Sequence, residues 1–135
     1  MILMRGSCLC GGVKFEITGS LSGARNCHCS MCRKAHAAAF RSRAAVNVSD
    51  FRWVHGEGLV TYYESSPGTH RGFCRVCGTR LISRFDFDAS TYGVPLGVLD
   101  DDPQIKPGMH IFVGSKAPWY DITDGLPQHH AFPEP

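Results

Sequence analysis

The chain has 135 residues, 43% of them hydrophobic and 19% charged, with a formal net charge of +2. That balance is globular rather than disordered, and the length suits one domain with its own core. The charge is too mild and too scattered for a nucleic-acid binder, and no run approaches the roughly 20 apolar residues of a membrane span.

Met1 to Gly12 carries one Arg and only a short apolar run, so it does not read as a secretory signal. The seven cysteines are an odd number, which argues against a secreted disulfide framework. Both features predict a cytoplasmic protein whose clustered thiols bind metal.

Cys8-Leu9-Cys10-Gly11-Gly12 comes first, with two cysteines on one face of an extended backbone. Val13 to Ile17 alternates apolar and polar residues, a strand signature. Gly19 to Asn26 is rich in turn residues and leads into Cys27-His28-Cys29-Ser30-Met31-Cys32. Cys27 and Cys29 share a face, and Cys32 can join them if the chain turns after Cys29. His28 alternates away from them and reads as an outward residue or one lying behind the ligands. The Ala-rich stretch from Arg33 to Phe40 predicts the one short helix, with Ser30 available as its cap.

Ala45–Val48, Phe51–Val54 and Leu59–Tyr63 read as short strands between Ser-Asp and Gly-Glu-Gly turns. Arg71-Gly72-Phe73 then enters Cys74-Arg75-Val76-Cys77-Gly78, a zinc knuckle in which Gly78 permits positive φ. Arg80–Phe85 and Thr91–Leu99 are the next predicted strands, with Pro95 demoting the second to an edge or a broken strand. Asp100-Asp101-Asp102-Pro103 reads as a solvated acidic turn and His110–Val113 as a last strand. Trp119, Tyr120 and Ile122 are expected to pack. Residues 1–126 form one domain and 127–135 a loose tail, where His129 and His130 carry no ligand pattern. His36, His55, His70 and His110 also lack ligand spacing.

Two cysteines do not complete a tetrahedral site. Pairing Cys8 and Cys10 with Cys74 and Cys77 closes one zinc site and leaves Cys27, Cys29 and Cys32 as a second with an open position. The rival partition joins Cys74 and Cys77 to the middle cluster. Spacing alone leaves both open.

The ordered set Cys-x-Cys-Gly-Gly-Val, Cys-His-Cys-x-x-Cys-Arg-Lys and Cys-x-x-Cys-Gly resembles the glutathione-dependent formaldehyde-activating enzyme family, which also includes centromere protein V. The resemblance runs from Cys8 to about Trp119. It implies a mainly β fold, a small β-tent with zinc-ribbon-like parts. It implies a structural zinc on Cys8, Cys10, Cys74 and Cys77 and an active-site zinc on Cys27, Cys29 and Cys32. It also implies a carbon–sulfur lyase-like reaction between glutathione and formaldehyde. A thiol entering the open position would be held as thiolate, ready to meet a small aldehyde. Arg33 and Lys34 are the cations placed to hold carboxylates of glutathione. The expected partner is a small thiol or its aldehyde adduct. A zinc-stabilised protein-binding module and a thiol redox sensor are the alternatives.

Overall fold

A computed structural model describes residues 3–133. The chain is mainly β, with ten strands and one α-helix among the described residues. β1 (Leu3–Ser7), β2 (Lys14–Thr18) and β5 (Phe51–His55) form a three-stranded sheet in the order β1-β2-β5. The other seven strands are β3 (Ser22–Cys27), β4 (Arg41–Asn47), β6 (Val60–Ser66), β7 (Thr69–Cys74), β8 (Arg80–Phe85), β9 (Asp88–Pro95) and β10 (His110–Ile111). They form one sheet in the order β10-β3-β4-β9-β8-β7-β6. Only β10 runs parallel to its neighbour, with Ile111 opposite Cys27.

Strand alternation builds the core. Met4 on β1 and Phe15 and Ile17 on β2 point inward, and Ala44, Val46, Leu81, Ile82 and Val94 meet them from the larger sheet. The Phe15 ring stacks on Phe51 with centroids 5.0 Å apart, and Phe51 meets Tyr92 edge-on at 5.3 Å. Gly6 on β1 is required by this packing. A Cβ there would lie 2.1 Å from the Phe15 ring.

Several sequence expectations change. Ser22–Cys27, expected as a turn-rich approach, is a strand paired to both β4 and β10. The two neighbouring strands override its local turn chemistry. The α-helix, α1 (Ser30–His36), begins before Cys32 rather than after it. Its cap is Cys29, not Ser30: the Cys29 sulfur accepts from the Cys32 backbone N–H at 3.3 Å. It ends at His36, short of Phe40, because Ala37 turns left-handed and sends the chain back as β4. β9 is an interior strand between β4 and β8, and Pro95 sits on its last residue, where a missing donor costs least.

The acidic turn is not free. Asp101 forms an ion pair with Arg5 at 3.0 Å, and Asp100 accepts from the Ser7 hydroxyl at 2.9 Å. Trp119, expected to pack, is 70% exposed. The start of the tail is tied down rather than loose: Pro127 O and Ala131 O accept from the His110 and Phe112 backbone N–H groups, and His129 N–H donates to His110 O.

Candidate metal centres

Two groups of cysteines converge. The first joins Cys8 and Cys10, in the loop leaving β1, to Cys74 at the end of β7 and Cys77 in the following turn. The four sulfurs lie within 4.8 Å of one another, Cys8 Sγ to Cys10 Sγ at 3.5 Å and Cys10 Sγ to Cys74 Sγ at 3.9 Å. Four sulfurs at about 2.3 Å from a tetrahedral zinc stand about 3.8 Å apart, so the spacing fits that ion. Cys27, Cys29 and Cys32 form a separate group, which excludes the rival partition in this fold.

The turn around the first group is built for sulfur. Gly78 has φ +78° and its N–H donates to Cys74 O at 2.8 Å, as the knuckle reading requires. The Val13 N–H donates to Cys8 Sγ at 3.2 Å. Thr79 joins the two halves: its hydroxyl lies 3.2 Å from Cys77 Sγ and accepts from the Leu9 N–H at 2.9 Å. The Thr79 hydroxyl and backbone pull the Cys77 thiol down to about 5, favouring the thiolate a metal needs. Thr79 carried no signal in the sequence beyond its place beside Gly78.

The second group comes from one short segment. Cys27 ends β3, Cys29 caps α1, and Cys32 lies in its first turn. All three sulfurs lie within 4.8 Å of one another, and no fourth His, Cys, Asp or Glu joins them among the described residues. Cys27 and Cys32 are buried and Cys29 is partly exposed. Arg71 on β7 faces Cys32, with Nη1 and Nη2 at 3.6 and 3.5 Å from its sulfur. Hydrogen bonds from the Cys27 and Cys29 thiols, reinforced by Arg71, hold the Cys32 thiol far below its ordinary value. The Cys29 and Cys32 sulfurs, and then burial, push Cys27 up. Negative charge in the cluster therefore gathers at Cys32, beneath the guanidinium. Soft sulfur donors at this spacing suit zinc.

Arg71 was missed in the sequence, because 39 residues separate it from Cys32 and only the sheet brings them together. It also lines a cleft of about 490 Å³ with Lys34, Met31, Tyr63 and Phe73. Lys34 lines this cleft. Arg33 does not line it: its Nε donates to His28 O at 3.3 Å, bracing the turn between Cys27 and Cys29.

His28 points away from the sulfurs, but into the protein rather than outward, and is fully buried. Its Nε2 lies 2.8 Å from His110 Nδ1, and His110 Nε2 lies 3.0 Å from Asp124. The carboxylate requires a proton on His110 Nε2, so His110 Nδ1 accepts and His28 Nε2 donates. Burial, then His110, pushes His28 down to about 4, so it is neutral at pH 7. Phe40 and Tyr120 close over the ring. His110, which carries no ligand spacing in the sequence, is the buried centre of this chain of rings.

Comparison with known proteins agrees with the cysteine pattern. The family model described as glutathione-dependent formaldehyde-activating enzyme matches residues 3–115. A Halomonas elongata protein named "Putative glutathione-dependent formaldehyde-activating enzyme" is 30% identical, over 90% of this chain and 82% of its own. A crystal structure of a Rhodobacter sphaeroides protein superposes with a TM-score of 0.63 at 30% identity, covering 77% of this chain and 98% of that one.

Proposed function

The chain belongs to the glutathione-dependent formaldehyde-activating enzyme family, and from that premise we propose that it joins or separates a small thiol and a small aldehyde at the three-cysteine site. In the forward sense a thiol adds across an aldehyde C=O. The carbon–sulfur bond forms, the π electrons go to oxygen, and the thiol proton ends on that oxygen as the hydroxyl of a hemithioacetal. The reverse is a carbon–sulfur lyase reaction.

One observation carries this reading. Cys27, Cys29 and Cys32 bring three sulfurs together with no fourth protein donor among the described residues. A zinc ion held on those thiolates would keep an entering thiol deprotonated at neutral pH. The chain's own residues supply the rest. Arg71 offsets negative charge at Cys32. Lys34 and Arg71 line the adjoining cleft, where charge-assisted hydrogen bonds can hold the carboxylates of glutathione. Arg33 works indirectly, through His28 O and the shape of the cysteine turn. Cys8, Cys10, Cys74 and Cys77 form the structural site, where zinc binding adds to folding free energy. The seven unpaired cysteines suit the reducing cytoplasm.

Titration of the cobalt-substituted protein with glutathione tests the reading. The visible spectrum should change on thiol addition in the wild type and stay unchanged in Cys29→Ser. A wild-type spectrum indifferent to every thiol would leave a protein-binding module or a thiol sensor as the better account.

A further inference from the structure

The residue between two of the three clustered cysteines is anchored through both its backbone and its ring. His28 N–H donates to Ile111 O at 3.0 Å, and His28 O accepts from Arg33 Nε at 3.3 Å. Its Nε2 meets His110 Nδ1 at 2.8 Å, whereas its Nδ1 is buried with no hydrogen-bond partner among the described residues. One hydrogen bond, to His110, therefore sets the direction of a fully buried ring. Cys27 closes β3 and Cys29 is extended. A side chain fixed on one side of this turn fixes the directions of its two cysteine neighbours on the other.

His110 is held in turn by the end of the chain. Its N–H donates to Pro127 O at 2.8 Å, and its carbonyl accepts from the His129 N–H at 2.9 Å. Asp124 lies 3.0 Å from His110 Nε2 and accepts from the Leu126 N–H at 3.1 Å. A carboxylate only accepts, so it keeps the His110 proton on Nε2 and leaves Nδ1 to take the hydrogen bond from His28. Tyr120 packs edge-on against Phe40 with centroids 5.4 Å apart, and both rings lie against His28. Asp124, Tyr120 and Pro127 all lie beyond residue 115, where the family match ends. A segment outside that match thus backs the cysteine turn.

We propose that Asp124, acting through His110 and His28, is a positioning residue for the three-cysteine site and sets the Cys27–Cys29 turn for metal binding. The inference rests on a metal being held by Cys27, Cys29 and Cys32, and not on the thiol–aldehyde reaction.

The test is chelator competition on the zinc-loaded full chain, with each zinc release step followed separately and the four-cysteine zinc as internal control. Asp124→Ala should lower affinity at the three-cysteine site by about tenfold, the low end of what lost partners of metal ligands cost. Release of the four-cysteine zinc should not move. The Asp124 side chain is 46% exposed, so its removal leaves no buried void and the variant should fold. Asp124→Asn keeps an oxygen that accepts from His110 Nε2 and should restore the affinity. His110→Asn offers an amide oxygen to His28 in place of Nδ1, and in that background Asp124→Ala should have no further effect. An unchanged three-cysteine affinity in Asp124→Ala would overturn the proposal. So would an equal shift at both sites, which marks a general loss of stability, or an undiminished effect in the His110→Asn background. If His110→Asn fails to fold, the contrast between Asp124→Ala and Asp124→Asn decides. A wild type that binds a single zinc would overturn the metal reading of the three-cysteine group together with this one, whereas two zincs with an indifferent Asp124→Ala would overturn this one alone.

Discussion

The two cysteine clusters solve opposite problems with the same side chain. The four-cysteine group joins segments 64 residues apart, the loop after β1 and the turn after β7. The three-cysteine group comes from a single turn between β3 and α1. Around the first, the Val13 N–H and the Thr79 hydroxyl turn toward sulfur, and four donors would close the coordination sphere of a tetrahedral ion. Around the second, three donors would leave the sphere of such an ion incomplete, and a cationic side chain, Arg71, meets the sulfur instead. Closure across distant segments suits a fastener. Convergence within one turn, beside a cleft, suits the ligand-exchanging site proposed above.

Breaking the fastener should have the largest effect. Cys74 is fully buried within the main core cluster, where it holds the end of β7 against the N-terminal loop. Cys74→Ser should lose cooperative folding, because metal binding at such a site is folding free energy. A soluble variant with an unchanged melting temperature would show that the four-cysteine group is not structural. Cys29→Ser should do the reverse. Cys29 is partly exposed at the cap of α1, so the melt should move by only a few degrees while thiol binding disappears. Graded chelation sharpens the same contrast. Zinc measured against circular dichroism should leave in two steps, the first without loss of strand signal. A single step coupled to unfolding would make the two clusters equivalent.

Next in size is Arg71. Its guanidinium reaches both Cys32 and the cleft, so Arg71→Met should weaken glutathione by about tenfold, ~1.4 kcal/mol. A neutral thiol such as 2-mercaptoethanol should lose much less. Equal losses for the two thiols would mean that Arg71 acts on the sulfur cluster alone and holds no carboxylate.

The residues that were legible in the sequence are those whose partners are close in sequence. Cys27, Cys29 and Cys32 announce themselves by spacing, as does the Cys74 knuckle with Gly78. The four-plus-three division was one of two open partitions, settled only where β7 brings Cys74 back to Cys8. Arg71, Thr79 and the His28–His110 pair were illegible because each has a partner far away in the sequence. His28 and His110 are 82 residues apart, and a lone histidine has no spacing to read. Ser22–Cys27 failed for a related reason. Its Ser, Gly and Asn residues carry turn chemistry, and only pairing to β4 and β10 makes it a strand. The mainly β character was readable throughout, since the period-two alternation in β2 and β5 is local.

The smallest expected effect concerns Thr79, and it probes how far the two clusters are independent. The hydroxyl accepts from the Leu9 N–H and faces the Cys77 sulfur, so it ties together the two loops that supply the four-cysteine group. Thr79→Val keeps the shape and removes both interactions. Leu9 is 88% exposed, so its freed N–H can turn to water, and the loss should stay near the ordinary net value of a hydrogen bond, about 1 kcal/mol per bond. The melting temperature should fall by a few degrees, and the four-cysteine zinc should exchange faster under chelation. The three-cysteine site should be untouched, with the glutathione-dependent cobalt spectrum unchanged, because no hydrogen bond links Thr79 to Cys27, Cys29 or Cys32. A changed thiol response in Thr79→Val would mean that the fastener tunes the open site, and the division of labour between the clusters would fail at that point.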